Sequence, residues 1–390
     1  MRILIDYRPA LRSRSGVGEY VHQLVGALAR FDGSSPTGRE TAALTIFSSS
    51  WRDRLVESPD WPAPNRITLV DRRVPVRVLN WTWHRLGWPS AEQLTGHDYD
   101  VTHSMHPLIL PSRRAAAVVT IHDLNFLTHP EQTRGEIRRD YPRLAQQHAH
   151  RADHIIVPSH FTAREVVSRF GVELTHVSVC SPGAPPWRPR DTARLEHADG
   201  YILFFGTLEP RKNIGTLLDA FARLVTDRDS RGLVTPELVL AGRHTADAEP
   251  WIARASAAPL AGRVRLPGYV DPAKRQALYE GARMLVQPSF EEGFGIPVLE
   301  AMTLGIPVVA ADRGALPEVL GDAGVLTPAT DAAALAHAID RVLDEPGLAR
   351  GMAERGLEQS RQFSWHASAR RTMDAYRTAV AHRATRRSRS

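Results

Sequence analysis

The chain has 390 residues and one cysteine, Cys180. An intrachain disulfide is therefore excluded, and the cysteine usage fits a reducing compartment. No apolar run approaches the ~20 residues that span a bilayer. The opening stretch, 1–16, has too short an apolar core for a signal peptide and reads as a first β-strand. Cytoplasmic placement is the expectation. Zinc-finger spacing and the RNA-binding sheet motif are both missing, so nucleic acid is not expected as a partner. There is no internal repeat and no low-complexity tract apart from an arginine-rich end. Lysine is scarce, with Lys212 and Lys274 the two in view.

What is present describes a soluble globular protein. Apolar residues make up 43% and charged residues 24%, both ordinary fractions. The length suggests two domains of ~150–200 residues. Part of the net charge of +6 sits in the last eight residues, at Arg383, Arg386, Arg387 and Arg389. That end reads either as a solvated, frayed tail or as a segment drawn to anionic lipid head groups.

Short β-branched runs alternate with longer amphipathic stretches. Strands are expected at 2–7, 44–48, 67–70, 100–104, 117–122, 154–158 and 177–181, with helices at 18–30, 135–151 and 161–170. The second half repeats the scheme. Its strands are at 201–206, 237–242, 264–266, 284–288, 307–311 and 324–327, and its helices at 214–225, 272–281, 297–304 and 332–343. Such alternation predicts parallel sheets with helices on both faces. The expected layout is an N-terminal domain over 1–185, a proline- and glycine-rich linker over 186–199 and a second domain over 200–363. A terminal helix at 364–383 is expected to pack back on the first domain. Ligands of such sheets bind beyond the carboxyl ends of the strands, so a cleft between the two domains is the expected site.

Four segments carry candidate chemistry. Ser15-Gly16-Val17-Gly18-Glu19-Tyr20 follows the first strand and opens a helix, where glycines admit a diphosphate to backbone N–H groups. A dinucleotide fingerprint would need a third glycine where Val21 stands. The second segment, Gly206-Thr207-Leu208-Glu209-Pro210-Arg211-Lys212-Asn213, places two adjacent cations on a strand-end loop. They read as a planar fork and a point charge for phosphate, or as two solvated charges. In the third, Glu291-Glu292-Gly293-Phe294-Gly295-Ile296-Pro297-Val298-Leu299-Glu300, glycines allow close approach and Pro297 suits a helix start. Glu300 is expected in the first turn of that helix. Both glutamates read as contacts to sugar hydroxyls or as acids favoured by a helix N-terminus. The fourth is Ile121-His122-Asp123-Leu124, at a strand end. His122 there either donates to a ligand or is satisfied by Asp123.

In this order, with Val157–Thr162 (V-P-S-H-F-T), Leu266–Tyr269 (L-P-G-Y) and Gly305–Ala310 (G-I-P-V-V-A) between and after them, the segments resemble the family 4 glycosyltransferases. The seven-residue gap between Glu292 and Glu300 also matches. The resemblance implies an α/β protein of GT-B fold, with two Rossmann-like domains whose parallel sheets face each other across a cleft. It implies a retaining glycosyltransferase needing no metal and no cofactor, whose co-substrate is a nucleotide-diphosphate sugar. By analogy Arg211 and Lys212 bind the diphosphate and stabilise the leaving group. Glu292 contacts the donor sugar, with backbone N–H groups of Phe294, Gly295 and Ile296. Glu300 binds the ribose, and His122 reaches the donor sugar. Gly16, Gly18 and Gly206 line the donor side, and the loop 268–270 is a candidate wall for the base.

The segments look most like those of bacterial polysaccharide mannosyltransferases. Transfer of a hexosyl group is expected, mannosyl from GDP-mannose, with a UDP-sugar or a GDP- or TDP-deoxysugar as the other donors, to a glycan or lipid-linked oligosaccharide. A nucleotide-sugar epimerase on the same fold and an NAD-dependent oxidoreductase are the alternatives. A phosphorylase-like reading would need a lysine for pyridoxal phosphate, which the scarcity of lysine disfavours. Asp98-Tyr99-Asp100 has the look of a metal-binding Asp-x-Asp motif but falls at the start of a strand. Residues 71–90 mix Arg72, Arg73, Arg77 and Arg85 with Trp81, Trp83 and Trp88. They read either as a helix burying its tryptophans or as a segment that docks a lipid-linked acceptor at an anionic membrane surface, on the inner face of the cell membrane.

Overall fold

The computed structural model describes residues 1–11, 16–35, 38–56, 58, 61, 66–128, 135–191 and 200–389, with only the backbone at 33–35, 38–41, 135–140 and 389. Ser15 of the first glycine loop and residues 192–199 of the expected linker lie outside that set. The chain forms two compact units. One is Met1–Gly183 with Ser364–Ser390, and the other is Ala184–Phe363.

The first unit holds strands β1 (Arg2–Asp6), β2 (Asp32–Ser35), β3 (Gly38–Thr41), β4 (Ala43–Ser49), β5 (Ile67–Arg72), β6 (Val101–Ser104), β7 (Ala116–Thr120), β8 (His154–Val157) and β9 (Val177–Val179). β2 and β3 make a small antiparallel pair, and the other seven form one parallel sheet ordered β5-β4-β1-β6-β7-β8-β9. Both faces are covered, so inner strands such as Ala-Ala-Val-Val-Thr of β7 are buried at every position. The helix Val17–Arg30 buries Val21, Leu24, Val25 and Leu28, one stripe at helical spacing.

The helix Trp365–Arg389 belongs to this unit and packs on Val17–Arg30 and on β7 and β8. Its Tyr376 is fully buried, with the hydroxyl 2.7 Å from His103 Nδ1, and His103 Nε2 lies 2.7 Å from Thr120 Oγ1. The helix continues beyond residue 383 through the arginine-rich end. Arg386 donates to the carbonyls of His150 and Arg151, each at 3.1 Å. Those carbonyls close the helix Gly135–Arg151, and a guanidinium is a natural cap for them. Arg387 donates to the carbonyl of Arg113 at 3.1 Å. The reading of this end as a frayed tail is thereby overturned, because the helix runs on and Arg386 and Arg387 find carbonyls to bind.

The second unit holds β10 (Tyr201–Phe205), β11 (Leu238–Ala241), β12 (Val264–Gly268), β13 (Ala282–Gln287), β14 (Val308–Ala311) and β15 (Val325–Thr327). They form a parallel sheet ordered β12-β11-β10-β13-β14-β15. One face packs Phe204, Leu217, Phe221, Leu240 and Ile339, and the other packs Leu203, Tyr279, Leu285, Val298 and Met302. The strand order reverses between β10 and β13. Loops that leave neighbouring strands in opposite directions open a crevice at their carboxyl ends.

Candidate active site

The crevice of the second unit is flanked by the loops after β10 and β13. β10 ends at Phe205, and its loop is pressed against the one after β11. A Cβ on Gly242, at φ +147°, would lie 1.8 Å from the Gly206 carbonyl oxygen. The chain then makes a single 3-10 turn over Pro210–Lys212 and enters the helix Ile214–Ser230 through Asn213, at φ 58°. Asparagine tolerates that left-handed conformation. Here it is also fixed by its amide, which donates to the carbonyls of Pro288 at 2.9 Å and Ala329 at 2.7 Å. Three strand-end loops are thus tied at one side chain.

This turn aims Arg211 and Lys212 at the loop after β13. Phe290 N–H donates to the Arg211 carbonyl at 2.8 Å. Lys212 is only 6% exposed, and its Nζ donates to Glu292 Oε1 at 2.6 Å. The same oxygen accepts from Gln287 Nε2 at 2.9 Å and Ser289 Oγ at 2.8 Å. Arg211 lies with its NH1 3.3 Å from Glu292 Oε2 and its Nε 2.6 Å from Glu209 Oε1. The two cations are therefore not solvated surface charges. Burial pushes the Glu292 carboxyl up, but Lys212 and Arg211 more than reverse this and hold it at about 2. Burial and then Arg211 pull the Lys212 ammonium below its ordinary value, against the pull of Glu292. Gly314, at φ +61°, makes room for Glu292. A Cβ there would sit 2.7 Å from both its nitrogen and its carbonyl oxygen.

After Glu292 the chain turns through Phe294 and Gly295 into the helix Ile296–Thr303, which starts one residue before the expected proline. Among the described residues, the N–H groups of Phe294, Gly295 and Ile296 donate to no backbone carbonyl. Glu300 falls in the second turn of this helix, not the first, because the helix begins at Ile296. The macrodipole account of Glu300 therefore fails. A buried arginine accounts for it instead: Arg275, on the helix Pro272–Glu280, makes a two-point ion pair with Glu300. Sequence reasoning passed over Arg275. The available signal was a charged residue four positions before Tyr279, on the inward stripe of that helix. At the end of β12, Tyr269 is half-exposed under the Arg243 guanidinium, 4.8 Å from its ring.

Gly16, Gly18 and His122 belong to the first unit. Gly16 precedes the helix Val17–Arg30 at φ 54°, and Gly18 is buried within its first turn. Tyr20 of that helix meets the His122 ring edge-on, with centroids 5.0 Å apart. His122 lies two residues past β7 rather than within it. Its Nε2 is buried without a hydrogen-bond partner, and burial holds the imidazole at about 4, hence neutral. Asp123 instead accepts from the Asn125 N–H at 3.2 Å. The sequence also gave no notice of a cluster at the strand-order reversal of this unit. There Arg8 pairs with both oxygens of fully buried Asp6, at 2.8 and 2.6 Å, and donates to Asn80 at 2.9 Å. His106 Nε2 lies 3.2 Å from Asp6. Burial works against the Asp6 carboxylate, but Arg8 and His106 hold it far below the usual range. Asp100, by contrast, accepts the Arg2 N–H at 2.7 Å at the amino ends of the strands. Among the described residues no group of three or more His, Cys, Asp and Glu is placed to hold a metal ion.

Two family models cover the chain: "Glycosyltransferase Family 4" over residues 14–188 and "Glycosyl transferases group 1" over residues 188–359. The O-antigen chain mannosyltransferase B of Escherichia coli is 30% identical over 393 residues, spanning 97% of this chain and all of that one. Among solved structures, sucrose-phosphate synthase from Thermosynechococcus elongatus superposes with a TM-score of 0.72 at 22% identity, covering 97% of this chain and 98% of the other. HepE from Anabaena, in complex with UDP and glucose, gives 0.66 at 16% identity over 96% and 98%. With an end-to-end relative at this identity and a Rossmann-like parallel sheet in each unit, as in the GT-B fold, the chain belongs to the family 4 glycosyltransferases.

Proposed function

We propose that this glycosyltransferase transfers a mannosyl group from GDP-mannose to a glycan or lipid-linked oligosaccharide, with retention and without a metal. The observation that carries the reading is the Arg211–Lys212–Glu292 constellation at the strand-order reversal of the second unit. Departure of a nucleoside diphosphate develops negative charge on the β-phosphate. Two fixed cations beside the helix start at Ile296 can stabilise it without rearranging solvent. An ammonium has three donors, and Glu292 takes one from Lys212. Glu292, held at about 2 and accepting three hydrogen bonds on one oxygen, is a poor nucleophile. That favours same-face attack, with the leaving phosphate taking the acceptor proton, over double displacement through this carboxylate. Glu300 is assigned to the ribose, and neutral His122 to a donor-sugar hydroxyl at its unpartnered Nε2. The name of the Escherichia coli relative favours mannose. The UDP in HepE supports a nucleoside diphosphate as ligand.

An anionic membrane surface is proposed as a partner. The helix Val76–Leu86 and the two residues after it divide three tryptophans between core and surface. Trp83 is buried at 3% exposure with Nε1 donating to Pro89, while Trp81 (60%) and Trp88 (57%) face outward. Exposed indoles beside arginines suit a lipid interface. No helix among the described residues is long and apolar enough to cross a membrane.

The primary test is a thermal-shift panel with GDP, UDP, ADP, TDP and NAD. A ligand at ~100 times its dissociation constant adds ~2.7 kcal/mol. A shift with GDP alone, lost in Arg211→Ala, is the expected result, followed by mannose transfer from GDP-mannose in EDTA. A shift with UDP or TDP instead reassigns the donor, and a shift with NAD alone removes the reading.

A further inference from the structure

We infer that a cavity in the first unit is a binding site for a phosphate monoester, and that the ester is borne by a lipid. The inference goes beyond the diffuse attraction to a membrane surface proposed above, and it does not rest on the sugar-transfer reading. The cavity, of about 300 Å³, is lined by His148, Arg151, Arg383 and Arg386, with Trp83 and Ile109 as apolar walls. It lies at the amino ends of β7 and β8, since Ala115 and Ala117 also line it and Arg151 stands just before His154. His122 stands past the other end of β7, so this cavity is separate from the sugar-transfer site.

Cations meet here with little to balance them. Among the described residues no Asp or Glu lines the cavity. Asp153 stands 3.4 Å from Arg386 and 3.8 Å from Arg383, and it also accepts the Ala117 N–H at 2.9 Å. Three guanidinium charges against this one carboxylate leave a surplus of two. Arg386 has a structural task, as the cap on the His150 and Arg151 carbonyls. The other donors have no such task. Arg151 is exposed and makes no ion pair or side-chain hydrogen bond among the described residues. Arg383 Nε is buried with no hydrogen-bond partner. His148 is 4% exposed, and its Nδ1 accepts the Ile109 N–H at 2.8 Å. Burial and then Arg151 hold its imidazole at about 4. A neutral ring that accepts at Nδ1 carries its proton at Nε2. That N–H meets no acceptor among the described residues. Buried donors left unsatisfied are costly, and an anion would satisfy several at once. A phosphate monoester carries about −1.5 to −2 at neutral pH and offers three acceptor oxygens. It matches the surplus, and arginine forks suit its oxygens. A diester, with a single charge and two such oxygens, matches less well. Gly87 also lines the cavity, and on either side of it Leu86 and Trp88 are exposed. A soluble ester leaves those side chains in water, whereas an ester carrying acyl chains covers them.

The test is flotation of the full chain with phosphatidylcholine vesicles containing phosphatidic acid or phosphatidylglycerol, set to equal zeta potential so that diffuse attraction is matched. The wild type is expected to bind the phosphatidic acid vesicles roughly 10- to 100-fold more tightly. Arg151→Gln and Arg383→Gln should each bring the ratio to within about threefold, and Arg151→Gln, at an exposed position, should melt as the wild type does. Arg85→Gln removes an exposed charge outside the cavity from the helix Val76–Leu86. It should lower both affinities alike, by about fivefold or less, and keep the ratio. Hydrogen exchange with millimolar glycerol 3-phosphate reads the soluble source. Protection confined to peptides covering 105–117, 146–153 and 380–389 supports the phosphate site. The same protection without a preference for phosphatidic acid keeps the site and removes the lipid. Equal flotation on both vesicles with no protection by glycerol 3-phosphate overturns the inference, because diffuse charge then accounts for all of the binding. A preference that survives both cavity variants places the head group elsewhere and is equally fatal.

Discussion

Replacing Lys212 by methionine leaves Glu292 buried with one partner fewer, and the structure sets the cost. Glu292 is about 6% exposed, and Lys212 contributes the shortest of its contacts, 2.6 Å. Removing one member of a buried ion pair typically costs about 3–5 kcal/mol, whereas replacing both by apolar groups is close to neutral. Lys212→Met should therefore weaken the second unit by about 3 kcal/mol, and Lys212→Met/Glu292→Leu by about 1 kcal/mol or less. The pH dependence gives an independent check on sign. In the wild type the two cations hold Glu292 at about 2 when folded, against an ordinary value of 4.5. Its folded pKa is depressed, so it contributes about 3 kcal/mol at neutral pH. That contribution is lost as the pH falls from about 4.5 through about 2. Without Lys212, burial gains the upper hand, the carboxyl shifts upward, and a neutral Glu292 is cheaper to bury. The penalty of the single variant should then shrink between pH 8 and pH 5, while that of the double variant stays flat. Amide hydrogen exchange on peptides covering 201–215 and 284–300 reads this unit separately from the other, and 3 kcal/mol corresponds to roughly 100-fold faster exchange. A penalty below about 1 kcal/mol with no pH dependence would refute the reasoning, because Glu292 would then not depend on Lys212. Sugar transfer should be lost in both variants whatever their stability.

Gly314→Ala should cost roughly 100-fold in kcat and about 1–3 kcal/mol of stability, since its Cβ would drive the Glu292 backbone from its place. Transfer kinetics beside thermal melting would show it, and unchanged kcat would mean that Glu292 need not be held there. Asn213→Gly keeps the left-handed backbone and loses two buried hydrogen bonds, so about 2–4 kcal/mol is expected. Asn213→Ala adds backbone strain and should be worse by about 1 kcal/mol, measured by the same exchange experiment. Trp83→Ala should lower stability by about 3–5 kcal/mol, whereas Trp81→Ala/Trp88→Ala should leave melting unchanged and reduce flotation with phosphatidylglycerol vesicles. Equal flotation of that double variant and the wild type would remove the membrane proposal.

The alternation of strands and helices was legible because the inner strands are covered on both faces and so read as uninterrupted apolar runs. β7 and β10 show this most clearly. Arg211, Lys212 and Glu292 were legible because glycine and proline mark the loops that hold them. Their mutual contact was not, since residues 80 apart meet only through the reversal of strand order. Gly314 and Asn213 were passed over for the same reason: each serves a backbone that reaches it from a distant loop. Arg275 and the Asp6–Arg8–His106 cluster escaped notice because a charge on an apolar stripe signals burial without naming its partner. The arginine-rich end was misjudged from composition, which does not show where free carbonyls wait at the end of the helix Gly135–Arg151.

The helix Trp365–Arg389 gives the two units different histories during synthesis. The unit Ala184–Phe363 is one unbroken stretch and has all its parts as soon as it leaves the ribosome. The other has its sheet early but lacks the helix that covers His103, Thr120 and part of Val17–Arg30 until residues 365–389 are made. At 5–20 residues per second, that face waits uncovered for roughly 10–40 s. Residues 1–183 expressed alone should therefore be sticky and short-lived, while 184–363 alone should be well behaved. Adding a peptide of residues 364–390 to the first fragment should rescue it.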